Sequence, residues 1–207
     1  MTLLPEDIIA LRKRSRDESF NYLFFWKCSP ESSGVGPGCL SQWWPASFKI
    51  GEREYPTAEH FMMYSKAMLF GDEKTAAQIM ETESCKEVKA LGRKVENFDS
   101  DLWREHRFAV VLRGNLAKFS QNEELKQYIF STGDAIIVEA SPTDNIWGIG
   151  LSEEKARATD PANWKGMNLL GFALMRTRSL LESGLEYVSE FINLGPPTQG
   201  ASPVDTP

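Results

Sequence analysis

The stretch P-T-A-E-H-F-M-M-Y-S-K-A-M-L-F-G, residues 56–71, sets the fold class. Pro56-Thr57 is a helix start signal with Thr57 as N-cap, and Gly71 is a stop signal. A helix therefore runs from Thr57 to about Phe70. More helices follow downstream. Asp72–Glu81 and Ser84–Leu91 are short, the second ended by Gly92. Asp99 or Ser100 caps a long helix to about Phe119, and Asn122–Phe130 precedes the breaker Thr132-Gly133-Asp134. Ala135–Ala140 (A-I-I-V-E-A) is a short buried strand, and Gly166–Ser183 carries the last helix. Upstream, Asp7–Arg16 reads as a short amphipathic helix and Asn21–Lys27 as an aromatic strand. Ser29–Gly38 is a loop, and Phe48–Tyr55 is a hairpin turning near Gly51. Strands, many helices, one strand and one helix make an α+β fold: a single, mostly helical domain with a small β-sheet.

The totals narrow the function classes. The 207 residues suit one large domain, and 42% apolar with 25% charged residues is ordinary for a soluble globular chain. A net charge of −6 argues against coating nucleic acid through bulk charge, though not against a local basic pocket. Two histidines cannot build a His-rich metal centre. Cys28, Cys39 and Cys85 are too few and too scattered for a disulfide framework, which points to a reducing compartment, cytoplasmic or nuclear. No secretory signal is visible in residues 1–20, and the longest apolar stretch, around Asn168–Met175, is too short to span a bilayer. The expected division is an N-terminal segment at 1–19, the domain at 20–183 and a tail at 184–207. The composition of Gly195–Pro207 is that of a disordered tail.

Several groups of residues have the chemistry of a site, and each has a structural reading beside it. Glu59 and Lys66 lie seven residues apart on one helix, about 10.5 Å along its axis and on nearly one face. A carboxylate and an amine so placed suit acid–base or covalent chemistry at a sugar carbon; the helix dipole alone also favours both positions. Asp144, Trp147 and Gly148 lie in D-N-I-W-G-I-G, the loop that follows the buried strand. Glycines there let backbone approach a ligand, or they accompany an Asp-turn with a Trp plugging the core. Lys86, Lys89 and Arg93 form a basic stripe that fits a pyrophosphate, or a solvated face paired with Glu83 and Glu87. Trp43, with Phe24, Phe25, Trp26 and Trp44, sits beside the polar residues Lys27, Ser41 and Gln42. The cluster either sandwiches a base or forms half a core. His60 and His106 read as structural histidines.

Taken in order, these motifs resemble the NADAR family (NAD- and ADP-ribose-related, also called YbiA-like). The matching stretches are F-F-W-K at 24–27, L-S-Q-W-W-P at 40–45, Y-P-T-A-E-H-F-M-M-Y-S-K-A at 55–67 and A-L-G-R at 90–93. They continue with W-R-E-H-R at 103–107, K-F-S-Q-N at 118–122, T-G-D at 132–134, V-E-A-S-P-T-D-N-I-W-G-I-G-L at 138–151 and G-M-N-L-L-G-F-A-L-M at 166–175. One departure is Ser41-Gln42-Trp43 where members have S-N-F or S-N-W; another is the extra loop at 31–38. Both fall at the expected substrate rim.

The resemblance implies a YbiA-like fold and N-glycosidase activity on ribosyl compounds, without cofactor or metal. Two substrate groups go with the family: ADP-ribose on guanine bases of DNA or RNA, and ribosylated intermediates of riboflavin biosynthesis. ADP-ribosylated guanosine is the first expectation, and a non-catalytic ADP-ribose-binding module is a rival. The resemblance carries Glu59, Lys66 and Asp144 over as catalytic residues, with Lys66 forming a Schiff base. Arg93, Trp103 and Trp147 carry over as contacts to the substrate. Lys27, Ser41, Gln42, Trp43 and Gly148 join them as expected substrate-binding positions.

Overall fold

The computed structural model describes residues 6–28, 34–184 and 191–192. The composition-based expectation for Gly195–Pro207 lies outside the described residues, as do positions 29–33 of the loop.

Side-chain caps place most helices where the sequence puts them. Thr57 accepts from His60 N ahead of α2 (Ala58–Leu69). Asp72 caps α3 (Glu73–Glu81), and Ser84 caps α4 (Cys85–Gly92). Asp99 accepts from two backbone amides to open the 22-residue α5 (Ser100–Gln121). Each such cap contributes about 1 kcal/mol. Asp7 caps α1 (Ile8–Arg14), and α6 (Glu123–Ser131) follows α5. Three features lay beyond the sequence reading, a 3-10 turn at Pro37–Leu40, a short α7 (Glu153–Arg157) and a 3-10 turn at Pro161–Asn163. The last helix, α8 (Leu169–Ser183), begins three residues later than expected, because Asn168 takes a left-handed conformation at its start.

The strands form two separate pairs rather than one small sheet. β1 (Tyr22–Phe25) and β4 (Ile136–Glu139) are parallel, with Phe25 opposite Glu139. β2 (Phe48–Ile50) and β3 (Arg53–Tyr55) form the expected hairpin. Parallel pairing joins residues over a hundred positions apart, so no local signal announces it.

α2 is the centre of the helical layer, packed by α3, α4 and α5, while α8 packs on α5 and on β4. Gly92 permits the close approach of α4 to α2: a Cβ there would lie 2.0 Å from Met63 Sδ. The described part of the tail also joins the core. Phe191 and Ile192 are buried, and Arg113 Nε donates to the Ile192 carbonyl at 2.8 Å.

Candidate active site

The first turn of α2 lies under the segment Cys39–Trp43. Glu59 N–H donates to the Gln42 carbonyl at 3.0 Å, which seats that segment on the start of the helix. Two side chains of α5 hold the segment from behind. Lys118, with no exposed surface, donates to the carbonyls of Cys39 (2.6 Å) and Ser41 (2.8 Å). Asn115 accepts from Gln42 Nε2 at 3.0 Å. Ser41 Oγ accepts from Trp43 N at 3.2 Å. Burial pushes Lys118 down to about 7, against the opposing pull of Cys39 and Cys28.

This support brings the Trp43 indole N–H to the Glu59 carboxylate. Glu59 is only 5% exposed, and its Oε1 has no hydrogen-bond partner among the described residues. Burial pushes Glu59 up to about 7; Lys89, Trp43 and Arg93 pull it down, and Asp144 raises it further. A buried acceptor without a donor is costly, about 1–3 kcal/mol or more for a charged group. The protein retains that cost at the centre of its recognisable motif.

A second carboxyl group stands in the same field. Glu139 ends β4, and its Oε2 is also buried and without a partner among the described residues. Burial pushes it up to about 8, Asp144 and Glu59 add to the rise, and Lys89 opposes it. Its backbone is fixed on both sides: its N–H donates to Asn168 Oδ1 at 3.0 Å and its carbonyl accepts from Ile149 N at 3.0 Å. Asn168 Nδ2 in turn donates to the Ile137 carbonyl at 2.9 Å, tying β4 to the start of α8.

The loop of Asp144–Gly148 closes over this end of β4. Asp144 Oδ1 accepts from Ile146 N (2.9 Å) and Trp147 N (2.8 Å), the Asp-turn of the structural reading. Gly148 leaves no room for a side chain, since a Cβ would lie 2.8 Å from the Glu139 carbonyl. The carbonyls of Ile146 and Trp147 accept from the amides of Leu169 and Leu170, so the loop caps α8. Trp147 is half-buried against the core.

Lys66 occupies the other end of the same face. Its Nζ donates to the Gly92 carbonyl at 2.6 Å and lies 4.1 Å from the Phe98 ring centroid and 5.9 Å from that of Trp103. Burial lowers its pKa. Lys66 is not among the charges acting on Glu59, which are Lys89, Asp144 and Arg93. The predicted pair thus shares a helix face without contact.

The remaining predicted residues sort by position. Arg93 follows α4, exposed, within reach of Glu59's field. Trp103 is 9% exposed and serves both the core and the Lys66 end. Ser41 and Gln42 are buried, with their side chains bonded inside the protein. Lys27 is exposed, its ammonium 4.9 Å from the Trp26 ring centroid. His60 is structural: its Nε2 donates to the Thr82 carbonyl at 2.8 Å, leaving Nδ1 to accept from the Thr57 hydroxyl at 2.8 Å. Sequence reasoning missed Glu139, Lys118, Asn115 and Asn168 as parts of the site. Glu139 had a signal, a lone carboxylate at the end of a buried strand inside the most specific motif.

An open groove of about 500 Å³ lies elsewhere, between α3 and α4, lined by Gln78, Glu81, Thr82, Glu87, Leu91 and Lys94. It includes none of the expected catalytic or substrate-binding residues. Among the described residues no helix is long and apolar enough to cross a membrane.

Known proteins share this architecture. An N-glycosidase of Acanthamoeba polyphaga mimivirus is 44% identical over 166 residues, covering 78% of this chain and 96% of the relative. The N-glycosidase YbiA of Escherichia coli K12 is 30% identical over 138 residues, 67% of this chain and 76% of its own length. The solution structure of E. coli YbiA superposes with a TM-score of 0.65 at 25% identity, covering 84% of this chain and 92% of YbiA. The NADAR domain profile matches residues 24–182, and the chain is a member of the NADAR family.

Proposed function

We propose that this NADAR-family N-glycosidase removes ADP-ribose from ADP-ribosylated guanine, with Lys66 as the nucleophile. The observation that carries the reading is Glu59: a buried acid with an unpartnered oxygen, poised near neutrality beside an indole donor and two cations. Such a group moves protons at neutral pH.

The ribose lies along α2 between Glu59 and Lys66. Breaking the C1′–N bond develops positive charge on the sugar, and the carboxylates at the Glu59 end stabilise it. Lys66 is desolvated, and its contacts are a backbone carbonyl and two aromatic rings, which favours the neutral, nucleophilic amine. It attacks C1′ and forms a Schiff base with the opened sugar. Glu59 then takes a proton from the water that releases it. Lys89 and Arg93 hold the diphosphate, and Trp43 and Trp147 flank the base and the ribose.

A side-by-side turnover assay tests the substrate. An ADP-ribosylated guanine oligonucleotide and a ribosylaminopyrimidine phosphate are each incubated with the protein. Release of free ADP-ribose at the faster rate supports the reading. Preferential cleavage of the pyrimidine compound overturns it in favour of metabolite repair. Tight ADP-ribose binding with no cleavage of either makes the protein a reader.

A further inference from the structure

We infer that Glu139 is a second acid–base residue of this site, the one that protonates the departing nitrogen while Glu59 serves as the base. The inference rests on the N-glycosidase reading above and deepens it.

The geometry is that of a group held for use. Both backbone polar groups of Glu139 are committed, to Asn168 Oδ1 and to Ile149 N, so the side chain's direction is fixed by β4 and by the start of α8. Gly148 is pressed onto the Glu139 carbonyl, which locks the loop of Asp144 and Trp147 to the same point. The carboxyl Oε2 is nevertheless left buried and unpartnered, as Glu59 Oε1 is. In a folded protein a single such atom needs an explanation. Two acid oxygens orphaned in one electrostatic cluster, with Lys89 as their common cation, indicate a site built for donors that a substrate brings. The groups acting on Glu139 are Asp144, Glu59 and Lys89; with two anions and one cation around it, the neutral acid is favoured.

The step balances. The Glu139 carboxyl gives its proton to the nitrogen as the C1′–N bond breaks, and the bonding pair leaves with that nitrogen. The Lys66 lone pair forms the new bond to C1′. One Lys66 proton passes to the ring oxygen as the sugar opens to an iminium. Water adds to C1′ and Glu59 takes its proton. Glu59 returns that proton to the Lys66 nitrogen as it leaves, and Glu139 regains its own from the C1′ hydroxyl. One water is consumed; the unmodified guanine and free ADP-ribose are released.

Two measurements test this. In the first, Glu139→Gln is compared with wild type on ADP-ribosylated guanine and on 4-nitrophenyl ADP-riboside, whose leaving group departs as a stable anion. The expected loss is about 10²-fold or more on the guanine compound, and at least tenfold smaller on the nitrophenyl compound. Equal losses on the two overturn the acid role. Wild type inactive on both overturns the ADP-ribosyl-guanine reading and Glu139's role in that reaction with it. In the second, glutamate carboxyls of the free protein are titrated by carbon-13 NMR. Two should titrate well above the ordinary range, and the Glu139 midpoint should fall in Glu59→Gln as a neighbouring negative charge is removed. A single high-titrating glutamate in wild type, or a Glu139 midpoint indifferent to Glu59→Gln, overturns the pair whatever the activity.

Discussion

The two ends of the Glu59–Lys66 face of α2 treat buried charge in different ways. At the Lys66 end the ammonium has a carbonyl partner and two aromatic faces, and burial lowers its pKa. At the Glu59 end two carboxyl groups keep unpartnered oxygens and rise to about 7 and about 8. Both ends move their group toward the neutral form. A neutral amine is a nucleophile and the neutral Glu139 carboxyl is an acid, while Glu59, near 7, exchanges protons as a base. Lys118 supplies the contrast. It is as buried as any of the described residues, yet it donates to two backbone carbonyls of the segment it supports. Lys118, bonded to the segment it supports, positions that segment; the two carboxyl groups keep oxygens open to a substrate.

The largest break in this comparison comes from the carboxylate end. Glu59→Gln keeps the shape and removes the base, and should lower kcat by about 10²–10⁴-fold while ADP-ribose still binds in calorimetry. A loss below about tenfold would show that the orphaned oxygen is structural. Trp43→Phe is a smaller change. It removes the indole donor, which lowers the Glu59 pKa, so the Glu59 midpoint must rise. The low-pH limb of the kcat/KM profile, set near 7 in wild type, should move upward and the rate at pH 7 should drop roughly tenfold, as expected for losing one hydrogen bond to a charged group. An unmoved limb would detach Trp43 from the base.

The smallest effect appears in stability. Glu59 and Glu139 hold their protons in the folded state at pH values where the unfolded chain has lost them. Folded protein therefore binds more protons than unfolded between about pH 4.5 and 7, and stability falls as pH rises through that window. For Glu59 alone, a rise from 4.5 to about 7 corresponds to about 3 kcal/mol. Lys118, lowered to about 7, works in the opposite direction only above that pH. Denaturant midpoints taken from pH 5 to 7 should fall in wild type and fall less steeply in Glu59→Gln, where Glu139 alone remains. A wild-type curve that rises with pH would contradict the buried acids.

Much of this was legible in the sequence because it is local. Thr57, Asp72, Ser84 and Asp99 announce their helices by capping chemistry that acts within three residues. Glu59 and Lys66 share a face by helical arithmetic. What was not legible is tertiary. Nothing in the helical pattern around Lys118 tells a lysine sealed under two distant carbonyls from one extended into water. The parallel pairing of β1 with β4 joins distant stretches, and that pairing, with Asn168, is what turns Glu139 from a strand residue into part of the site. The separation of Lys66 from Glu59 depends on where α4 lays the Gly92 carbonyl, which the spacing of two residues on α2 cannot reveal.

The central claim is that a buried amine on α2 attacks the sugar while the carboxyl groups at the other end move protons. Trapping tests it most directly. The protein is incubated with ADP-ribosylated guanine oligonucleotide and sodium cyanoborohydride, then digested and mapped by mass spectrometry. The account predicts a reduced ADP-ribosyl adduct on Lys66, absent in Lys66→Ala, which also loses turnover. Turnover that continues in Lys66→Ala, or an adduct confined to another lysine, would contradict it.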